Sequence, residues 1–226
     1  MDKKKQVKRI FDTISPKYDF LNHLLSAGID FYWRKKALKL TGVGPNTKLL
    51  DLACGTGDFA IAARKMGVTN ITGADLSLNM LRLFNEKTPW SRGNTLQTVA
   101  EQLPFKENSF TNITVAFGVR NFYNIPDAFK LFHEILVDGG KATILEFRLP
   151  TNFVMKKLYL FYFHNILPIV GKIISKDKEA YTYLPESVNE FDKKVNLKQL
   201  LLDAGFSDVS VYSMTFGIVQ VVIGQK

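Results

Sequence analysis

The chain has 226 residues, 46% of them hydrophobic and 23% charged, a composition that supports a sizeable core and excludes a disordered chain. Its single cysteine, Cys54, excludes an internal disulfide and supplies no ligand set for a metal cluster. The formal net charge of +9 favours anionic partners, with solvated lysines as the plain alternative, but the scattered basic residues lack the basic–aromatic repeats of nucleic-acid modules.

The N-terminal MDKKKQVKRIF is basic with no apolar run behind it, which reads as no secretory signal and predicts a cytoplasmic protein. Residues 5–41 have helical periodicity, with Val7, Ile10, Phe11 and Ile14 on one stripe and a break at Ser15-Pro16. Strands then alternate with helices. Lys48–Leu52 reads as a strand, Phe59–Met66 as a helix, Ile71–Ala74 as a strand closed by Asp75, and Leu78–Glu86 as a helix. Leu96–Ala100 and Ile113–Phe117 read as strands, Ala128–Leu136 as a helix ended at Gly139-Gly140, and Ala142–Phe147 as a strand. This rhythm predicts βαβ units and a parallel sheet. Val154–Ser175 is strongly apolar, but Lys156, Lys157, His164, Asn165, Pro168 and Lys172 interrupt it. A spanning helix needs about 18 uninterrupted apolar residues, so an interfacial or substrate-covering segment is expected. Leu197–Ala204 reads as a helix, and Val209–Met214 with Ile218–Gly224 as an antiparallel hairpin joined by Thr-Phe-Gly. The fold class is α/β, with residues 1–41 as a helical cap, 148–190 as a helical cover, and 1–226 as a single domain.

The stretch LLDLACGTGDFAIA (49–62) carries the first chemistry. A parallel strand ends at Asp51-Leu52 and delivers Gly55, Thr56 and Gly57 to the ligand crevice of an open sheet. Glycine lets the backbone approach a ligand closely, and the helix that follows offers free N–H groups. Asp75 ends the next strand, where a carboxylate can accept both hydroxyls of a ribose. A plain glycine corner is one alternative, and dinucleotide binding is another, because residues 55–60 also satisfy GxGxxG/A. Asp51 inside the motif disfavours a pyrophosphate and favours an ammonium. The glycine strand also follows a long helical segment, and no hydride-transfer constellation is present. A ligand with a ribose and an ammonium but no phosphate, such as S-adenosylmethionine, suits these charges better. Cys54 reads as a small packing residue.

Several separate stretches resemble the ubiquinone/menaquinone biosynthesis C-methyltransferases, the demethylmenaquinone methyltransferase group. They are FDTISPKYDFLNHLLSAGIDFYWRKKAL (11–38), LDLACGTGDFA (50–60), GADLSLNML (73–81), LPF (103–105), FGVRNF (117–122), LEFRLP (145–150), residues 168–191 and FGIVQVVIGQK (216–226). The KYDxxN…SxGxxxxWR block and FGxRN are the most specific, and the likeness spans almost the whole chain. It implies a class I S-adenosylmethionine-dependent methyltransferase fold: a mostly parallel seven-stranded sheet with a C-terminal antiparallel hairpin and a helical cover. It also implies methyl-donor contacts at Asp51, Gly55, Thr56, Gly57, Asp75, Val99, Ala100 and Phe117. Family members often carry Asn or Asp where this chain has Val99, which leaves backbone N–H groups and apolar packing to hold the adenine. The Leu136–Gly140 turn lacks the usual proline but keeps both glycines.

The implied reaction transfers a methyl group from S-adenosylmethionine to a ring carbon of a prenylated quinol, most simply demethylmenaquinol, with the benzoquinol of ubiquinone synthesis as the alternative. No metal is expected. Transfer from an activated sulfonium asks for alignment, exclusion of water and a route for the ring proton. Arg120 can stabilise a developing phenolate but cannot be the base; a structural ion pair with Glu146 is its other reading. Asn121 can orient the ring oxygen, and Tyr18 with Asp19 can close over the site. His164 titrates in a useful range, though a lone histidine in an apolar cover reads first as packing. Tyr159, Phe161, Tyr162 and Phe163 suit a membrane interface or a prenyl groove, with a plain core helix as the alternative. The expected partners are the prenylated quinol and a peripheral membrane surface, with no nucleic acid and a homodimer left open.

Overall fold

The structure, a computed structural model, describes residues 3–15, 18–166 and 178–226. Its organising element is one sheet of seven strands in the order β3-β2-β1-β4-β5-β7-β6. The strands are β1 (Lys48–Leu52), β2 (Asn70–Asp75), β3 (Thr95–Gln97), β4 (Phe110–Ala116), β5 (Leu136–Phe147), β6 (Asp208–Met214) and β7 (Val219–Gln225). The first five pair in parallel, and β7 inserts antiparallel between β5 and β6. Their central residues are buried on both faces, as the aliphatic runs Leu49-Leu50 and Ile113–Val115 require.

Helices α1 (Lys3–Ile14), α2 (Tyr18–Leu25) and α3 (Ile29–Thr41) precede the sheet, and α4 (Asp58–Arg64), α5 (Leu78–Lys87) and α6 (Ile125–Ile135) connect strands. Helix α7 (Phe153–Phe161) runs into a π-helical turn, Tyr162–Ile166; α8 (Lys178–Lys194) and α9 (Leu197–Asp203) follow. Trp33, Leu38, Phe59, Leu81 and Phe84 place α3, α4 and α5 against one face of the sheet. Phe129, Phe132, Phe191 and Leu201 place α6, α8 and α9 against the other.

Strand order reverses between β1 and β4, because the chain winds outward through β2 and β3 before returning to the other side of β1. Such a reversal opens a crevice at the carboxyl ends of the strands. The glycine turn after β1 and the FGVRN segment after β4 therefore face the same space.

Several element boundaries differ from the sequence reading. The third strand ends at Gln97, and the Val99-Ala100 segment expected in it peels away, with the Gln102 N–H donating to the Val99 carbonyl at 3.1 Å. Helix α6 starts at Ile125 instead of Ala128, capped by the Asn124 side chain and begun with a proline, which suits a first turn. Strand β5 starts at Leu136 and shifts register against β4. The Gly139 N–H there donates to the Lys226 carbonyl, so the paired glycines form an irregularity inside the ladder rather than a free turn.

The glycine turn rests on Phe84. A Cβ on Gly57 would lie 2.1 Å from the Phe84 ring, and Gly57 has φ +87°. Gly57→Ala is expected to lower unfolding free energy by about 3 kcal/mol or more, since overpacking and left-handed strain add; a urea denaturation midpoint equal to wild type would refute this packing account.

Candidate active site

A cleft opens at the switch point, and Tyr18, Gly55, Asp75, Val99, Ala100, Phe117 and Asn121 line it. Asp51, Thr56, Gly57 and Arg120 stand behind that wall. Seven of the eleven residues singled out in the sequence thus meet on one surface, and the other four hold it in shape.

Asp51 is almost wholly buried. Its Oδ2 accepts from the Ala60 N–H at 3.0 Å and its Oδ1 from the Thr114 hydroxyl at 2.9 Å. Register places Asp51 beside Thr114 on β4, so one carboxylate ties two strands to the start of α4. The ammonium contact expected of it is therefore not a wall contact; Asp51 braces the turn. Burial pushes its carboxyl up to about 7. Gly57 is required by Phe84, as above. The Thr56 hydroxyl donates to Asp19. Gly55 is the residue of the turn that faces the cleft: beyond its missing Cβ lies Tyr18 Cε1 at 3.7 Å.

Asp75 ends β2 with its carboxylate already accepting two backbone N–H groups, from Gly55 at 2.9 Å and Ser77 at 2.8 Å. Burial raises its pKa, against the pull of those two amides. Each oxygen keeps a lone pair, and the residue lines the cleft. That geometry fits a ribose diol, and Leu76, Met80, Val99 and Ala100 offer apolar walls for a base. A nucleoside-bearing methyl donor fits the residues present.

The loop after β4 supplies the opposite wall. Phe117 has φ +56° and stacks on Phe147 with ring centroids 4.4 Å apart. Arg120 is buried, its Nη1 donating to Glu146 Oε1 at 2.9 Å and to the Phe117 carbonyl. The ion pair with Glu146 foreseen as Arg120's structural reading is thus present. It does not silence the charge, because the guanidinium field still reaches Tyr18 and lowers its pKa, although burial outweighs it.

The KYDFLN…WR block is explained by a clasp. The Lys87 ammonium bonds Asp19 and Asp58, each at 2.7 Å. His23 Nδ1 meets Asp30 at 2.9 Å and its Nε2 lies 3.6 Å from Asp58, while Arg34 pairs with Asp30. Burial alone would raise the Asp30 pKa, but Ser26 and Arg34 hold it below the ordinary value. His23, Asp30 and Asp58 come within 4.8 Å of one another, with Arg34 and Lys87 already against the carboxylates. These residues fasten α2 and α3 to the start of α4. Tyr18 reaches the cleft because its neighbours are anchored in this way.

Sequence reasoning missed part of the wall. Val7, Lys8 and Phe11 on α1, and Glu101 and Tyr123, also line the cleft. Asp12 accepts from the Ser77 hydroxyl, which docks α1 on the N-terminus of α5. The helical stripe of α1 was visible, but not what it would cover. Cys54 is buried, and burial raises its thiol pKa, which suits a packing residue. The His164 side chain lies outside the described residues.

A parallel sheet closed by a reversed hairpin, with a glycine cradle and an acid at the switch point, defines an S-adenosylmethionine-dependent methyltransferase. The fold matches a Methanococcus maripaludis crystal structure assigned to that class, with TM-score 0.67, 18% identity, and coverage of 96% of this chain and 94% of that one. It also matches Haemonchus contortus phosphoethanolamine N-methyltransferase 2 in complex with S-adenosyl-L-methionine, with TM-score 0.59, 18% identity, and coverage of 85% and 52%. Within this class the chain belongs to the ubiE/COQ5 methyltransferase family, whose model matches residues 1–226. It is 44% identical over 214 residues to a Chlorobaculum tepidum protein named demethylmenaquinone methyltransferase, covering 93% of this chain and 88% of the relative. It is 41% identical over 231 residues to the ubiquinone/menaquinone biosynthesis C-methyltransferase UbiE of Geotalea daltonii, covering 100% and 98%. A Staphylococcus aureus demethylmenaquinone methyltransferase is 42% identical over 226 residues, covering 99% and 94%.

A buried carboxyl with a raised pKa favours the protonated folded state. Its contribution to stability is fully present below the unfolded pKa of about 4 and is lost as pH rises through about 7. In Asp51→Asn, the amide oxygen can still accept from Ala60 and the NH2 can donate to the Thr114 hydroxyl. Urea midpoints from pH 4.5 to 7.5 are expected to fall more steeply with pH in wild type, by at most about 1.4 kcal/mol per unit. Parallel profiles in the two proteins would show that Asp51 is not held protonated by the fold.

Proposed function

We propose that this methyltransferase moves a methyl group from S-adenosylmethionine to a ring carbon of a prenylated quinol, demethylmenaquinol in menaquinone biosynthesis. The observation that carries the reading is the near full-length similarity to proteins named demethylmenaquinone methyltransferase. The similarity to UbiE supports a benzoquinol of ubiquinone biosynthesis as the second acceptor.

When bound, the donor supplies a methyl group on a sulfonium that leaves as a neutral thioether, so the protein's task is alignment at about 3–3.5 Å and exclusion of water. Asp75 and the Val99-Ala100 segment hold the nucleoside end. Gly55 and Tyr18 border the reacting end. Arg120 places a fixed positive charge near the ring oxygen of the acceptor, which favours the quinolate whose ring carbon attacks. Asn121 orients that oxygen. Phe117 and Phe147 form an apolar wall that keeps the ring dry. Loss of the ring proton to water or a nearby acceptor then restores aromaticity.

An acceptor with a polyprenyl tail resides in a bilayer, and α7 supports docking there. Phe153 is 69% and Phe161 is 59% exposed, and Val154 and Leu158 extend the same apolar face. Lys156 and Lys157 flank it, Lys157 with its ammonium 4.5 Å from the Phe153 ring centroid. Phe216, 75% exposed, stands at the tip of a turn in which Thr215 and Phe216 both have positive φ. The Trp33 indole N–H holds that turn through the Thr215 hydroxyl at 2.7 Å. Apolar burial in the interface, plus roughly 1 kcal/mol per lysine near an anionic leaflet, would provide reversible attachment. Among the described residues no helix is long and apolar enough to cross a membrane.

Purified protein supplied with methyl-labelled S-adenosylmethionine and short-chain demethylmenaquinone is expected to label the ring only when a reductant generates the quinol. Labelling without reductant would contradict the quinolate mechanism, and no labelling of either ring class would remove the assignment. For the surface, Phe153→Ser with Phe161→Ser is expected to cut co-sedimentation with phosphatidylglycerol vesicles about tenfold while methyl-donor affinity is unchanged. Undiminished sedimentation of the double variant would place docking elsewhere.

A further inference from the structure

Among the described residues that line the cleft, two carry a carboxylate, Asp75 and Glu101. Asp75 suits the ribose diol, which leaves Glu101 without a task there. Glu101 is half-buried and directly follows Val99 and Ala100, the apolar segment that suits the base. One of its oxygens serves the fold. Oε1 accepts from the Tyr123 N–H at 3.0 Å and from the Asn124 N–H at 3.1 Å. These bonds tie the segment after β3 to the start of α6 and fix where the carboxylate stands. Among the described residues, Oε2 accepts no hydrogen bond.

The loop between the two acids sets their spacing. The Thr98 N–H donates to the Asp75 carbonyl at 3.0 Å, and the Gln102 N–H donates to the Val99 carbonyl at 3.1 Å. The Thr98 hydroxyl donates to the Gln102 carbonyl. This closed turn therefore starts beside Asp75 and presents Glu101 at its far end. Three residues of chain span at most about 10 Å, the scale on which the sugar hydroxyls of a nucleoside stand from the far edge of its base. At that edge adenine carries an amine, which is costly to bury without an acceptor. Leu76, Val99 and Ala100 give the base apolar contact and no side-chain acceptor. Lys8 also lines the cleft, but an ammonium only donates. An ionised carboxylate only accepts, so it suits an amine and opposes the carbonyl of a 6-oxo purine.

We propose that Glu101 Oε2 accepts the adenine amine of the methyl donor and so selects adenine over 6-oxo purines. The bracing role of Oε1 and the recognition role of Oε2 belong to one side chain: the two backbone N–H groups hold the carboxylate so that its second oxygen meets the base. The inference concerns the donor alone and does not depend on which acceptor is methylated.

The test is calorimetric binding of S-adenosylhomocysteine and S-inosylhomocysteine to the full chain, wild type and Glu101→Gln. In the variant the amide carbonyl can keep both bonds from Tyr123 and Asn124, and the NH2 then takes the place of Oε2. That NH2 opposes the adenine amine and donates to the 6-oxo group. The preference for the adenosyl ligand over the inosyl ligand is expected to fall about ten- to a hundredfold in the variant. An unchanged preference overturns the proposal, including the case in which both affinities drop together, which is what bracing alone would produce. The wild type supplies an independent arm: the analogue of S-adenosylhomocysteine with hydrogen in place of the 6-amino group is expected to bind about tenfold more weakly or worse. Equal affinity of the amine-free analogue overturns the proposal whatever the variant does. No quinol enters either measurement, so failure of the quinol reading would leave these outcomes intact.

Discussion

The Asp51 carboxylate, buried where β1, β4 and the first turn of α4 meet, is the constraint on which the site depends. A carboxylate so far from water is costly unless it is protonated or its oxygens are occupied. Thr114 and the Ala60 N–H occupy both. Satisfying them fixes the height of α4 relative to the strands, and hence the path of the five residues between. Ala53, Gly55 and Gly57 all take positive φ along that path. From this bracing come the inward-facing backbone at Gly55 and the Gly55 N–H that fixes the Asp75 carboxylate.

The N-terminal cap is held by charge where the sheet is held by burial. Asp19, Lys87, Asp58, His23, Asp30 and Arg34 form one chain of contacts from α2 through α4 to α3 and α5. Partly exposed ion pairs contribute little singly, and a network contributes more by fixing geometry. Here the geometry fixed is the position of Tyr18 over Gly55. The cap therefore belongs to the active site, although few of its charged residues touch the cleft. Arg120 follows the same logic on the opposite wall. Its pairing with Glu146 is what holds a guanidinium beside an apolar cleft, where its charge has most effect.

Much of this was legible in the chain. The aliphatic runs and their spacing announced the strands, because a sheet covered by helices on both faces needs continuous apolar stretches. Gly55 and Asp75 were readable as crevice residues, because a glycine and a carboxylate at the ends of parallel strands stand where an open sheet forms its crevice. The Thr98–Glu101 loop was not readable. Leu96–Ala100 is as apolar as a strand, and only the shortness of the neighbouring ladder releases Val99 and Ala100 to line the cleft. Gly57 carried the same motif signal as Gly55 yet answers to the Phe84 ring, a contact from a helix two elements away.

From sequence alone came the order of elements and the glycine motif at the strand end, since periodicity and motif spacing are local properties of the chain, and the resemblance carried by those motifs pointed to the family. Division of labour among the motif residues was decided only by tertiary structure. Asp51, Thr56, Gly57 and Arg120 brace, while Tyr18, Gly55, Asp75 and Phe117 face the cleft. The α1 residues Val7 and Phe11 entered the cleft wall only through folding. Which side of a turn or helix meets the cleft depends on what packs behind it, and those partners lie tens of residues away in the chain.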